Sequence, residues 1–562
     1  MVEGSPHQSV VSLISFTDDI YCIGPRRIAT QLKRHGFRVN LIFLRPTDFW
    51  GQTRQRFQAR YYNGDLPEPI YQQLLAICKD SAVIGFSVWT HQADQVTLVT
   101  NRLRRELDAL IVWGGIHPTS YPEDAIRAVD GICMGEGDVS FLRLVEAVDQ
   151  GRDYRKTAGF WFRDGDEVIR NPGEPLVESL DEIPFMDFEF EQHFVNDQGV
   201  LRRMTMPLMK KYYGAKLWTM FSQGCPYKCT FCSNDVLIDL DKGYRRFRKH
   251  SVEFFLAEIT YVLSKYPHIY NIVIDDDAFM FLPLHTILEF AKSYKEKFDI
   301  PLFVTGIIPA SIDERKFQAM IDAGMIKARI GVQSANARVM KEVFVRPRHN
   351  DKVIAGSEIA YRNRAEMAPV QYDLIVDNPW EHPEELKDTL RLVAALKPPY
   401  TFAINSLTLL PGTTIYEMGE RAGFTNKDEK ITLASYVTYM ATELNLTLAF
   451  YNIAPVPKFW LKRVLRRDFG ERTLTMKQYP RTGALISMLG LIKKIVHGIV
   501  RRDISAMPRP FDVLAGRLFV YRIGQKRRDG PVPREFEQSL PKAGTPRMRP
   551  AQKAATGFRV LG

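Results

Sequence analysis

Cys225, Cys229 and Cys232 stand in a C-x3-C-x2-C arrangement within Gly224-Cys225-Pro226-Tyr227-Lys228-Cys229-Thr230-Phe231-Cys232. This spacing lets one tight loop aim three thiolates at a common point, and thiolates are soft ligands suited to iron–sulfur clusters and zinc. A closed site of either kind takes four ligands, and no fourth cysteine is near. The pattern therefore predicts a metal centre with one open position; a zinc site completed by a distant His or Asp is the alternative. Cys22, Cys78 and Cys133 stand alone in apolar runs and read as small buried hydrophobes. No pairing pattern suggests disulfides and the chain opens without a charged, apolar leader, so a reducing cytoplasm is the expected compartment.

The elements that must hold this loop follow from periodicity. Downstream, apolar β-rich runs alternate with amphipathic helical stretches at Trp218 to Ser222, Asn271 to Asp275, Pro301 to Gly306, Ala328 to Gln333, Val370 to Val376 and Thr401 to Leu410. Alternation of this kind predicts parallel βα units, six of them, with the chemistry in loops at the C-terminal strand ends. The cysteine loop follows the first strand, so it belongs at the mouth of a partial barrel. Upstream, Val10 to Phe16, Arg38 to Leu44, Ala82 to Val88, Ala109 to Gly115 and the short run Gly131 to Met134 read as a doubly wound, Rossmann-like sheet. Ser87 closes one of its strands. Two further strand ends are rich in glycine, Gly114-Gly115-Ile116-His117-Pro118-Thr119 and Gly135-Glu136-Gly137-Asp138, where a backbone could approach a bulky ligand closely.

A chain of 562 residues exceeds one core. The predicted organisation is α/β: a Rossmann-like domain over 8–150, an extended Pro-rich linker over 151–215, a barrel over 216–425, a basic and mainly helical region over 426–525, and a disordered tail over 526–562. Charge divides the same way. Residues 451–562 carry 24 Lys+Arg against 7 Asp+Glu, while the formal charge of the whole chain is only +11. Amphipathic basic stretches between 455 and 525 fit either contact with an anionic membrane surface or a helical lid with a basic outer face; nucleic acid is disfavoured because no binding motif accompanies the charge.

The cysteine loop, with aromatic Phe231 before its last cysteine, resembles that of the radical S-adenosylmethionine (SAM) superfamily. The resemblance implies a 4Fe-4S cluster on Cys225, Cys229 and Cys232, with SAM chelating the unique iron and an electron donor such as flavodoxin or ferredoxin. It also implies SAM contacts at Phe231, at Asp276 or Asp277 after the second strand, at Gln333 and Ser334 of a "GxQS"-like fourth strand, and at Asp373 of the fifth. Asn378 departs from the family's usual Gly before Pro, and Leu410-Pro411-Gly412-Thr413 is a further likeness. The N-terminal region is similar to the cobalamin-binding domain that precedes the barrel in one subgroup. That likeness implies cobalamin near Ser87, Gly114, Gly115, His117, Gly135 and Glu136, although the D-x-H-x-x-G motif that supplies a cobalt ligand elsewhere is absent. The function so implied is transfer of a methyl group to an unactivated carbon of a small molecule; the basic, apolar C-terminal stretches alone suggest that this molecule is lipophilic and that the protein lies in the cytoplasm or peripherally on the inner face of the membrane. A related oxidation or ring closure, as in the anaerobic cyclase of chlorophyll-precursor synthesis, is the alternative, and a noncatalytic metal-binding protein is a third.

Overall fold

In a computed structural model of the chain, the structure describes residues 9–16, 20–44, 65–425, 438–501, 503, 507 and 511–520. The tail expected to be disordered and part of the predicted basic region lie outside them.

The first sheet grows from β1 (Val10–Ser15), buried along its whole length as befits a parallel strand covered by helices on both faces. Around it lie β2 (Arg38–Phe43), β3 (Ser81–Ser87), β4 (Leu110–Gly114) and β5 (Gly131–Cys133), all parallel, with β1 between β3 and β2. The segment read as a linker differs from expectation, because it extends this sheet at both edges. β6 (Phe160–Asp164) and β7 (Glu167–Arg170) add an antiparallel hairpin beyond β5, and β8 (His193–Asn196) and β9 (Leu201–Arg203) add another beyond β2. Phe160 and Phe162 alternate inward and are almost fully buried. The prolines of 172–184 mark only the crossing between the two hairpins.

The second sheet is wholly parallel and runs in sequence order: β10 (Lys216–Thr219), β13 (Asn271–Ile274), β14 (Leu302–Ile307), β15 (Met325–Gln333), β16 (Val370–Val376) and β17 (Tyr400–Ser406). These are the six predicted units, forming an open barrel. Alternation decides its two faces. Ile272, Ile274, Leu302, Ile330, Tyr372 and Leu374 point into the helical layer and are buried. Arg329, Gly331, Gln371 and Asp373 share the opposite, inner face through the β15–β16 register. A two-stranded ribbon of β11 (Ser222–Gln223) and β12 (Arg248–Lys249) brackets the cysteine loop.

The C-terminal region closes the barrel from below. Asp503 lies 3.5 Å from Lys327 on β15, and Lys216 at the start of β10 donates to the Met507 carbonyl at 2.9 Å. Asp512, fully buried, accepts the Ala215 N–H at 3.0 Å.

Candidate functional site

The cysteine loop is shaped by backbone before it is shaped by side chains. Gly224 adopts φ +109°, and a Cβ there would lie 2.2 Å from the Arg246 carbonyl oxygen, so only glycine admits this turn. Its N–H donates to Asp277 Oδ2 at 3.1 Å, and the Cys225 N–H donates to the Tyr244 carbonyl at 3.1 Å. Farther along, the Thr230 hydroxyl donates to the Val343 carbonyl at 2.6 Å, while the Phe231 ring meets Phe344 edge-on at 4.9 Å. The last cysteine precedes the helix Ser233–Leu240.

Cys225 and Cys229 are buried and Cys232 is nearly so. Burial pushes their thiols up, Cys225 to about 11 and Cys232 to about 12, and the neighbouring Asp277 carboxylate adds to the rise at both. Thiols in such a place become thiolates only against positive charge. The Arg346 guanidinium, itself buried, opposes the rise at Cys229 and Cys225 and anchors to the Gly331 carbonyl at 2.7 Å. A metal centre would supply the remaining charge, so the donor set fits one. Among the described residues no three Cys, His, Asp or Glu side chains close around a single-ion position. Three thiols from one loop suit a cluster, whose thiolates each bind a different iron.

The acidic run after β13 divides its tasks. Asp276 is buried and accepts from the Phe221 and Ser222 N–H groups, both at 2.8 Å, and from the Ser222 hydroxyl at 2.5 Å. Burial drives its carboxyl up to about 8 against those donors. It thus ties down the strand end that feeds the cysteine loop, which leaves Asp277 as the acidic group facing the thiols. Asp275 accepts from Thr305 at 2.5 Å. Inside the barrel, Asp373 accepts Arg329 Nε at 2.6 Å and Gln371 Nε2 at 3.2 Å. Burial raises both Asp275 and Asp373, and Arg329 holds both back. Gln333 closes β15 at φ +69°, a conformation costly for a side chain of its size and found where structure over-determines it. Ser334 is directed elsewhere: it is buried, and its hydroxyl donates to Glu381 Oε1 at 3.1 Å.

The first sheet meets this mouth with its C-terminal strand ends. Ser87 pairs with Gly114 in the β3–β4 register, and Gly115 at φ +97° would place a Cβ 3.1 Å from the Val88 carbonyl. These three residues stay at the strand ends where ligands of such sheets lie. The other three predicted contacts lie among the residues packed around these strand ends. His117 is 2% exposed, its ring 6.2 Å from Trp113, and burial lowers it to about 4, so it is neutral. Gly135 would bring a Cβ to 3.0 Å from both Leu240 and the Tyr244 hydroxyl, and Glu136 takes both terminal nitrogens of Arg248 on β12, one at 3.0 Å. On the same junction, Gly412 at φ +82° lies so close to Ser120 that a Cβ would fall 2.0 Å from its carbonyl oxygen. The glycine-rich segments therefore fasten the first sheet to the barrel beside the cysteine loop. Sequence reading missed Arg346, Arg329 and Arg248, since an arginine near a mouth carries no spacing signal until the fold brings its partner to it.

Comparison with known proteins agrees with this division. The B12 binding domain family matches residues 10–145 and the radical SAM superfamily matches residues 219–393. An uncharacterized methyltransferase of Pyrococcus horikoshii is 24% identical over 65% of this chain and 75% of its own length. The anaerobic magnesium-protoporphyrin IX monomethyl ester cyclase of Synechocystis is 27% identical over 34% of this chain, which spans only 36% of that cyclase. The solved structure of the cobalamin-dependent SAM radical enzyme OxsB, with aqua-cobalamin and SAM bound, is 16% identical and covers 91% of this chain and 75% of its own, with a TM-score of 0.58; it shares the fold.

Proposed function

The chain belongs to the radical SAM enzymes that carry a B12-binding domain, with a 4Fe-4S cluster, SAM and cobalamin as cofactors, and from that premise we propose that it methylates an unactivated carbon of a small, lipophilic molecule. The observation that carries this reading is the junction of Gly135, Glu136 and Gly412, which holds the strand ends of the first sheet against the loop that bears the three thiols. Two cofactor sites brought to one junction would suit a reaction that needs both.

Cys225, Cys229 and Cys232 would hold the cluster, and Ser87, Gly114 and Gly115 would approach the corrin; bound there, these groups supply radical initiation and a methyl carrier. The protein's own work is placement. Asp276 and Gly224 fix the course of the cysteine loop, and Arg346 balances thiolate charge. Asp277 is our candidate for the SAM amino group, with Gln333 and Phe231 beside it. Arg329 and Asp373 give the cavity wall a paired charge that orients a polar end of the substrate. The plug below the barrel excludes water from the far side, and an external one-electron donor such as flavodoxin or ferredoxin supplies reducing equivalents.

The likeness to the cyclase favours one other reading, oxidation or ring closure without methyl transfer. The two separate without knowledge of the substrate. Reduced, cobalamin-loaded protein incubated with SAM alone forms S-adenosylhomocysteine if it draws methyl groups from SAM; formation of 5'-deoxyadenosine with no S-adenosylhomocysteine contradicts methyl transfer and favours the cyclase-like reaction.

A further inference from the structure

The helix Pro480–Arg501 has two faces of opposite character. On one, Gly483 lies against Ala441 and Leu446, Gly490 lies against Asn452, and Ile486 meets the core. On the other, Leu485, Met488, Leu489, Ile492, Val496 and Ile499 form an unbroken stripe of large apolar side chains facing solvent, with Val496 and Ile499 each 53% exposed. Their spacing of three and four residues puts them on one side of the helix. By length and composition the helix could cross a membrane, yet only 11% of that stretch is buried in the protein. The glycine face orients the helix, since Gly483, Ile486 and Gly490 set its first half against the body and present the stripe sideways.

Two further helices of the same region behave alike. Lys458–Arg466 buries Val464 and exposes Phe459, at 74%, with Trp460; Phe511–Val520 buries Val513 and exposes Leu514 and Leu518. An apolar surface of this extent marks a binding site on a soluble protein. The charge around it identifies the partner: Lys462, Arg463 and Arg466 are exposed on the first of these helices, Lys493 and Lys494 interrupt the long one, and Arg517 is exposed on the third. Apolar side chains amid an excess of cations complement a bilayer whose surface is anionic and whose interior is hydrocarbon.

We propose that this surface seats the enzyme on an anionic lipid bilayer, the long helix lying in the headgroup plane, and that the barrel draws its substrate from the lipid phase. The course of the helix supports the second part. Its first turn adjoins the segment whose Met440 N–H and Asn445 side chain bond Asp377, both at 2.8 Å, at the mouth end of β16. Its last turn leads to Asp503 at the floor. A molecule leaving the bilayer along this helix arrives at the mouth. The substrate class rests on the methyl-transfer reading above; the surface does not.

The test is flotation of the full-length holoprotein with vesicles of phosphatidylcholine alone and of phosphatidylcholine with phosphatidylglycerol. Wild type is expected to float with the anionic vesicles, less so at high salt. Ile492→Asp/Val496→Asp is expected to lower the bound fraction about tenfold or more, from two side chains no longer buried in lipid, while retaining the iron–sulfur absorbance. The milder Ile492→Ser serves if that variant fails to fold. Wild type that stays with the unbound protein overturns the proposal, and so does a wild-type dimer that the double variant converts to monomer without vesicle binding. Duplex DNA binding that survives the double variant, with no flotation, overturns it too. Protein that floats yet retains no corrinoid counts against methyl transfer alone; protein that retains corrinoid and does not float counts against the surface alone.

Discussion

The two ends of one barrel settle their charges differently. At the floor, Lys327 meets Asp503 and Lys216 meets Asp512, and each carboxylate is nearly or fully buried with its cation beside it. At the mouth, three thiols, two of them buried, are pushed up by desolvation while the Arg346 guanidinium opposes the rise at Cys225 and Cys229, and Arg329 lowers two carboxylates that burial raises. The floor is neutralised from within the chain; at the mouth burial holds the thiols up in spite of the guanidinium beside them. Parallel barrels separate stability from chemistry along their axis in this way, because the loops at the C-terminal strand ends are free to vary while the opposite end is sealed.

Breaking each end should therefore give different losses. Cys229→Ala should abolish the broad iron–sulfur absorbance of anaerobically prepared protein and all SAM cleavage while leaving circular dichroism intact; a retained cluster contradicts the ligand assignment. Asp512→Ala removes the buried acceptor of the Ala215 N–H and the carboxylate 4.0 Å from Lys216, and should cost about 2–3 kcal/mol of stability without changing the cluster spectrum of the folded fraction. A melting temperature lowered by less than about 3 °C contradicts that.

The junction between the sheets gives two smaller effects. His117 is lowered from 6.5 to about 4 by burial. Because the folded protein refuses a proton that the unfolded chain takes up, stability should fall as pH drops from about 6.5 toward about 4, by about 2 kcal/mol at pH 5. Chemical denaturation at several pH values checks this, and His117→Phe should flatten that part of the profile; an unchanged slope contradicts it. Glu136→Gln leaves Arg248 without its carboxylate, and since Glu136 is 23% exposed the expected cost is about 1 kcal/mol. Its sharper readout is weaker retention of cobalamin on desalting, and retention equal to wild type contradicts a clamp between the sheets.

What could be read from the chain depended on how local each feature is. The cysteine loop occupies eight residues, and the strands announce themselves through alternation, so both were legible. The hairpins of 151–215 were obscured by prolines that mark only a short crossing. Glu136 and Arg248 lie 112 residues apart, and Ala215 and Asp512 297 apart; no pattern joins them until the chain folds. Glycines were legible as places of close approach, but not what approaches: Gly135 and Gly412 admit the other domain's side chains and backbone. Ser334 and Asp276 were placed on the right strand ends, yet hydrogen bonds to Glu381 and to Ser222 engage them, an outcome that depends on side-chain direction.

The central claim is that two cofactors share one mouth. The absorption spectrum of full-length protein, produced with cobalamin, purified anaerobically and desalted, tests it most directly. The account predicts near-stoichiometric corrinoid bands beside the iron–sulfur absorbance; a cluster that persists with no corrinoid would contradict it.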